Sequence, residues 1–288
     1  MKDITLRRFD GRGDASTVVA AVQGIRVTAA VPVVAGGELE SFVIVGSRGA
    51  NDSEAAKATV EAFRLDVRGQ ITQLSVASGL GDLVHLEHVG GDEFVLVQHH
   101  RGVEHGRDGD GIHTDILRLR ATGETQLLVT MAGLCYRLAA SAQRIACAVS
   151  PVLRSDQTND VVVVYSATGQ ALWRHALARG DTVDRMGLLE SGDLIYSIGQ
   201  RGGATVTRLG ASGTPLWSET LRSTGEYTFL TRIEPLRNGR LAFLGSTGPW
   251  NGFTSTDTSA MLLVTRTSAG GLGTPSIVST IMTHTAAR

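Results

Sequence analysis

The stretch HHRGVEHGRDGDGIHT, residues 99–114, gathers the side chains in this chain best suited to hold a metal ion. His99, His100, His105 and His113 offer imidazole nitrogens, and Asp108 and Asp110 offer carboxylates. That donor set suits zinc or another divalent cation. The close carboxylates of RDGDG also suit calcium, although Ile112 stands where an EF-hand loop needs an oxygen ligand. The alternative is a solvated polar loop that binds nothing. A second set is acidic: Asp82, Asp181, Asp184 and Glu226 fall at or just before the starts of expected strands. Two carboxyl groups across a scissile bond suffice for glycoside hydrolysis, but acids at strand starts also serve turns and solubility. A third candidate is GPWNGF, where Trp250, Asn251 and Phe253 could form a platform for a sugar or a peptide, or else cover the end of a sheet.

Other motifs are missing or incomplete. The chain has no Gly-x-Ser-x-Gly, His-Glu-x-x-His or Cys-x-x-Cys. GLGTPS and GQRGGA lack the lysine of a phosphate loop and precede no expected helix. The tripeptide within GRGD, residues 11–14, sits in an expected hairpin turn. With 27 basic against 28 acidic residues, the net charge of −1 gives no basic excess of the kind a nucleic-acid binder shows. No apolar run approaches a membrane span, and MKDITLRRFDGRGD lacks the apolar core of a signal peptide. The chain is expected to be soluble, cytoplasmic by default, and exported if a signal has been removed from a precursor.

The elements that must position these residues come from a repeat. VVVVYSATGQALWRHAL (161–177) is a strand, a small-polar-Gly turn and a strand, and similar hairpins recur with turn glycines at Gly13, Gly69, Gly123, Gly169, Gly213 and Gly270. A second hairpin interleaves with it, as in LVHLEHVGGDEFVLVQ (83–98) and MGLLESGDLIYSIG (186–199). Each unit therefore holds four strands, A to D, in the length of a β-propeller blade. The expected fold is all-β: a single propeller domain of five four-stranded antiparallel blades, at about 25–76, 83–131, 135–177, 184–221 and 229–282. An extra hairpin covers 4–22, and six blades or an open ring stay open as alternatives. SEAAKATVEAF, the best helix candidate, is expected to be a loop with at most one helical turn. Strict alternation places Cys135 and Cys147 on opposite faces of adjacent strands, so no disulfide is expected unless the register slips by one residue.

VYSATGQALWRHAL and TRLGASGTPLWSETL resemble the tryptophan-docking repeat of quinoprotein-like propellers, a group that includes outer-membrane assembly scaffolds. The match rests on Thr168, Gly169 and Trp173 in one copy and on Gly213 and Trp217 in another. The resemblance implies a propeller in which the tryptophan docks on the next blade. It does not imply pyrroloquinoline quinone, and no cofactor is expected beyond a divalent metal such as zinc or calcium.

In this arrangement the B–C and D–A connections share one face of each sheet. The B–C connections are long and irregular, whereas the A–B and C–D turns are short. Function on a rigid scaffold concentrates on such loops. The expectation is a non-catalytic binding or protein-interaction module taking a protein or carbohydrate on that face. The alternative is a glycan-active hydrolase built on the axial carboxylates.

Overall fold

The computed structural model describes residues 4–9, 16–22, 25–35, 38–48, 59–74, 82–101, 112–151, 159–235, 241–248, 259–266 and 276–281. These residues form twenty strands and, among them, no helix. A hairpin of β1 (Ile4–Phe9) and β2 (Ser16–Val22) comes first. Three four-stranded antiparallel sheets follow in meander order. They comprise β3 (Ile25–Ala35), β4 (Glu38–Arg48), β5 (Thr59–Asp66) and β6 (Ile71–Leu74); β7 (Asp82–Gly90), β8 (Glu93–Arg101), β9 (Ile112–Arg120) and β10 (Thr125–Ala132); and β11 (Leu134–Ala140), β12 (Arg144–Ser150), β13 (Val161–Ser166) and β14 (Ala171–Ala176). A six-stranded sheet holds β15 (Val183–Leu188), β16 (Leu194–Leu209), β17 (Pro215–Pro235), β18 (Leu241–Gly248), β19 (Ser259–Arg266) and β20 (Ser276–Ile281). The chain divides into two compact units, 1–158 with 165–170, and 159–164 with 171–288, so the dividing line runs through β13 and its turn.

The six-stranded sheet takes in the two expected blades at about 184–221 and 229–282, because β16 and β17 each run on from one expected strand into the next. Arg208 Nε lies 2.9 Å from Asp193 Oδ2, although the two residues are 15 apart in sequence. A straight strand would separate them by roughly 50 Å. β16 therefore folds back on itself around the exposed residues 200–202, where Gly202 has φ +78°. The tip of that hairpin pairs Gln200 with Thr228 and Arg201 with Tyr227, while Gly203 pairs with Arg222. β17 thus serves β16 with its first half and β18 with its second. GQRGGA, expected as a loop, is strand on both sides of this turn.

The middle strands of each sheet are buried on both faces, and this explains the unbroken apolar runs. Phe94 to Val97, Ile145 to Val149 and Val162 to Tyr165 are all buried. The fourth strands alternate or stay exposed, as β6, β10 and β14 do. In the first unit, Val43 and Val45 share one cluster with Phe94, Leu96 and Leu119. In the second, Ile195 and Val206 share one with Leu230 and Phe243, and Trp217 packs against it.

The C–D turns are nearly identical at the backbone. In each, the first residue donates to a carbonyl four residues on: Asp66 to Gln70, Arg120 to Glu124, Ser166 to Gln170 and Gly210 to Thr214. The glycine three residues on donates back to it, with φ +88°, +91°, +88° and +84° at Gly69, Gly123, Gly169 and Gly213. A type I turn closed by a left-handed residue has this form, and glycine takes that conformation without a Cβ penalty. The second residue of three of the turns donates to the A–B turn of its own sheet or to the start of the strand after it: Val67 to Glu40, Ala121 to Asp92 and Ala167 to Gln143.

The same turns receive the preceding sheet. Trp173 Nε1 donates to Ala211 O at 2.9 Å, and a Cβ on Gly213 would stand 2.8 Å from the indole. Arg118 Nη2 donates to Ala167 O at 2.7 Å, and a Cβ on Gly169 would stand 2.3 Å from Leu128 O. Ala167 and Ala211 hold the same turn position, so an arginine on β9 supplies at one joint the hydrogen bond that tryptophan supplies at the other.

The two cysteines share a face, which corrects the alternation count. Cys135 pairs with Val149, two residues from Cys147, and the register shifts by one between Cys135 and Arg137. Both thiols are free and buried. Burial first, and then the Cys147 thiol, push the Cys135 thiol well above its ordinary pKa, which leaves it inert as a nucleophile.

Glycine-to-alanine variants separate close approach from backbone strain. Gly180 has φ +84°, and a Cβ added there would meet nothing within 4 Å, so Gly180→Ala should cost only the left-handed penalty of about 1–2 kcal/mol. Gly169→Ala meets backbone as well and should cost at least about 2 kcal/mol more. Trp173→Phe, which loses one hydrogen bond, should cost about 1 kcal/mol. Urea denaturation of the three variants checks the order.

Candidate functional site

The end of β8 and the starts of β9 and β11 form the best-described part of the face on which the candidate residues were expected. Across the second sheet, Asp82 pairs with His99, His99 with Thr114, and His100 with His113. His99 is buried, and its Nε2 lies 3.0 Å from Cys135 O. Thr114 Oγ1 donates to Gly133 O at 2.6 Å and accepts from Cys135 N–H at 3.3 Å. His85 Nε2 lies 2.8 Å from Tyr136 O. Three side chains of the second sheet therefore clasp the backbone at the start of the third. Alternation along β8 turns His99 into this joint, and its ring nitrogen meets a carbonyl there.

The remaining candidates are placed as follows. His113 is exposed on β9. His100 is in β8, Asp82 in β7 and Glu226 in β17, each described by its backbone alone. His105, Asp108, Asp110, Trp250, Asn251 and Phe253 lie outside the described residues. Among the described residues no group of three or more His, Cys, Asp or Glu side chains could hold a metal ion. Asp181 lies in a turn, its N–H donating to Ala178 O at 3.0 Å. Asp184 lies on β15, where its Oδ2 would stand 2.5 Å from a Cβ on Gly199. Thr228 O would stand 3.1 Å from the same Cβ, so glycine at 199 is what lets the Asp184 carboxylate and β17 both approach β16.

Asp184 also marks a feature that sequence reasoning missed. β3, β7, β11, β15 and the second half of β17, the first strands of the five expected blades, carry a register shift at the same place: between Val27 and Ala29, Leu83 and His85, Cys135 and Arg137, Val183 and Arg185, and Leu230 and Arg232. A bulge adds one residue, bends the strand and re-aims the side chains beside it. The skipped residues are Thr28, Val84, Tyr136, Asp184 and Thr231. The residue after each is Ala29, His85, Arg137, Arg185 or Arg232. The signal in the chain was short but present, in VHL, YRL, DRM and TRI at matching points of the repeat.

In the second unit a polar chain crosses between sheets. Tyr196 OH lies 3.2 Å from His175 Nε2, and Thr207 Oγ1 lies 2.9 Å from Ser218 Oγ. Burial lowers the His175 pKa. Burial also raises that of Tyr196, with the Asp181 charge adding to the rise and a Thr207 hydrogen bond opposing it. A neutral imidazole accepts at one nitrogen, which lets the tyrosine hydroxyl donate to it.

No family model matches this chain. None of the curated proteins matches it either. Solved structures do. A protein solved as putative TolB from Agrobacterium tumefaciens matches with a TM-score of 0.56 at 12% identity, over 98% of this chain and 90% of that one. Puromycin hydrolase matches with a TM-score of 0.54 at 14% identity, over 94% of this chain and 49% of that one. Acylaminoacyl peptidase from Pyrococcus horikoshii matches with a TM-score of 0.52 at 14% identity, over 91% and 42%. The chain spans less than half the length of the last two. At these identities the likeness shows the fold alone: a β-propeller built of antiparallel sheets.

The lowered His175 pKa makes stability depend on pH. A folded-state value below the unfolded one means that the unfolded chain takes up the proton more readily. The contribution is complete above the ordinary value of 6.5 and is lost as pH falls through the folded value. Between pH 7 and pH 5 the wild type should therefore lose more stability than His175→Gln, as read from denaturation midpoints across that range.

Proposed function

We propose that this propeller is a non-catalytic binding module whose long B–C connections take a protein or carbohydrate partner. One observation carries the reading: three polar side chains at that face, those of His99, Thr114 and Asp184, are engaged in the scaffold. His99 and Thr114 hold the backbone of the next sheet, and the Asp184 carboxylate is packed against Gly199. Side chains used in this way make a rigid platform, and loops carried by rigid sheet ends are where recognition concentrates. The divalent-metal reading of His99, His100, His105, Asp108, Asp110 and His113 belongs to the same loops as a proposal of lower rank.

The rival reading, a glycan-active hydrolase, is separated by measuring binding and turnover together. The chain should bind members of a glycan or peptide array, lose that binding when residues 102–111 or 249–258 are replaced by short Gly-Ser linkers, and release no chromophore from aryl glycosides. Turnover of an aryl glycoside that is abolished by Asp82→Asn or Asp184→Asn would overturn the proposal in favour of the hydrolase.

A further inference from the structure

Large apolar side chains gather at one end of the first four-stranded sheet (β3–β6), where its A–B and C–D turns meet. Leu39, Val67 and Ile71 are 43%, 47% and 38% exposed. The Val67 N–H donates to Glu40 O at 3.2 Å, which sets Val67 beside Leu39. Ile71 pairs with Leu65 directly below the same C–D turn.

The other sheets show what the fold needs at these places, because the turn hydrogen bonds align them. The residue that donates across to the A–B turn is Val67 in the first sheet, Ala121 in the second and Ala167 in the third. The residue before its acceptor is Leu39, Gly91 or Ala142. The residue after each C–D turn is Ile71, Thr125 or Ala171. Smaller residues therefore suffice for the turns themselves. Of these three sheets the first alone carries leucine, valine and isoleucine there, all in contact with water. Single exposed aliphatic residues are ordinary, but a group of them at one sheet end fits a surface that is covered by another molecule.

We propose that this end of the first sheet is a self-association surface and that its occupant is a second copy of this chain. Charge selects the occupant. Glu38, Glu40 and Arg68 flank the aliphatic side chains, are exposed and carry both signs. Glu40 lies 3.8 Å from Arg64, whereas Arg68 contributes only its backbone N–H, to Asp66 Oδ1 at 2.9 Å. Among the described residues neither Glu38 nor the Arg68 side chain meets an opposite charge. A rim of one sign would select a partner of the other sign, but a rim of both signs is complementary to itself. Under a two-fold axis Glu38 of one copy meets Arg68 of the other, and the pair forms twice. The aliphatic side chains then make the dry centre and the charges the rim. Rim pairs fix orientation more than they add affinity, and the centre is small, so the association is weak.

In a four-stranded antiparallel meander the B–C connection leaves from the opposite end. Association through the A–B end therefore leaves that connection uncovered, and a dimer presents it twice, which raises avidity for any ligand with two epitopes. The surface does not depend on what those loops bind, so failure of glycan or peptide binding has no bearing on it.

Sedimentation equilibrium over roughly a hundredfold range of protein concentration is the test. The wild-type mass should climb from that of one chain toward that of two. The double variant Leu39→Ala with Val67→Ala gives the first sheet the residues of the third, so it should fold, and it should raise the dimer dissociation constant at least about tenfold. Leu127→Ala, which truncates an exposed leucine on β10, should leave that constant unchanged. Glu38→Arg and Arg68→Glu should each weaken association, and the two reversals in one chain should restore it. If the alanine variant melts early at low concentration, the charge reversals carry the test alone. A wild type that keeps the mass of one chain throughout overturns the proposal and leaves the surface to a different protein. Undiminished dimers in a folded Leu39→Ala with Val67→Ala variant, or reversals that do not rescue each other, overturn it as well.

Discussion

Much of this structure depends on one small device, the C–D turn. Its closing glycine has no side chain and its second residue exposes a carbonyl, so a neighbouring sheet can approach to van der Waals contact and hydrogen-bond as it does so. Trp173 uses both features at one joint, stacking on Gly213 and donating to Ala211 O. At the other, Leu128 approaches Gly169 while Arg118 donates to Ala167 O. A sheet whose middle strands are apolar on both faces cannot stand alone in water. The turn therefore converts a repeated hydrophobic demand into a defined joint.

The opposite ends of the sheets solve the same problem with side chains. His85, His99 and Thr114 reach from one sheet to the backbone that starts the next. Buried carbonyls and amides must be paired, and the bulge on the first strand of each expected blade leaves such groups out of the regular ladder. The bulge therefore creates both a structural need and an opportunity. It demands a donor for its carbonyl, and it re-aims the following residue, which is an arginine at three of the five positions.

How much of this could be read in advance depended on range. The turn at Ser166–Gln170 was legible because its five residues fix it locally: small polar residues close the hairpin and glycine alone takes the left-handed conformation cheaply. The continuous valines of β13 were legible for a related reason, since burial on both faces removes the alternation. The fusion of two expected blades was not legible, because it rests on Gln200 and Arg201 meeting Thr228 and Tyr227 across more than twenty intervening positions. The role of His99 was equally hidden. Its neighbours in sequence suggested a metal ligand, and its neighbour in space is the carbonyl of Cys135.

By itself the sequence determined the all-β class, the two interleaved hairpins and the turn glycines, because periodicity and turn chemistry act within a few residues. Tertiary structure alone decided the register. A single skipped residue at Tyr136 turned Cys135 toward the same face as Cys147 and set Arg137 against its own backbone. Side-chain direction in a strand has period two, so one bulge reverses every assignment beyond it. Where a bulge falls is settled by how one sheet packs on the next, which no window of the chain contains.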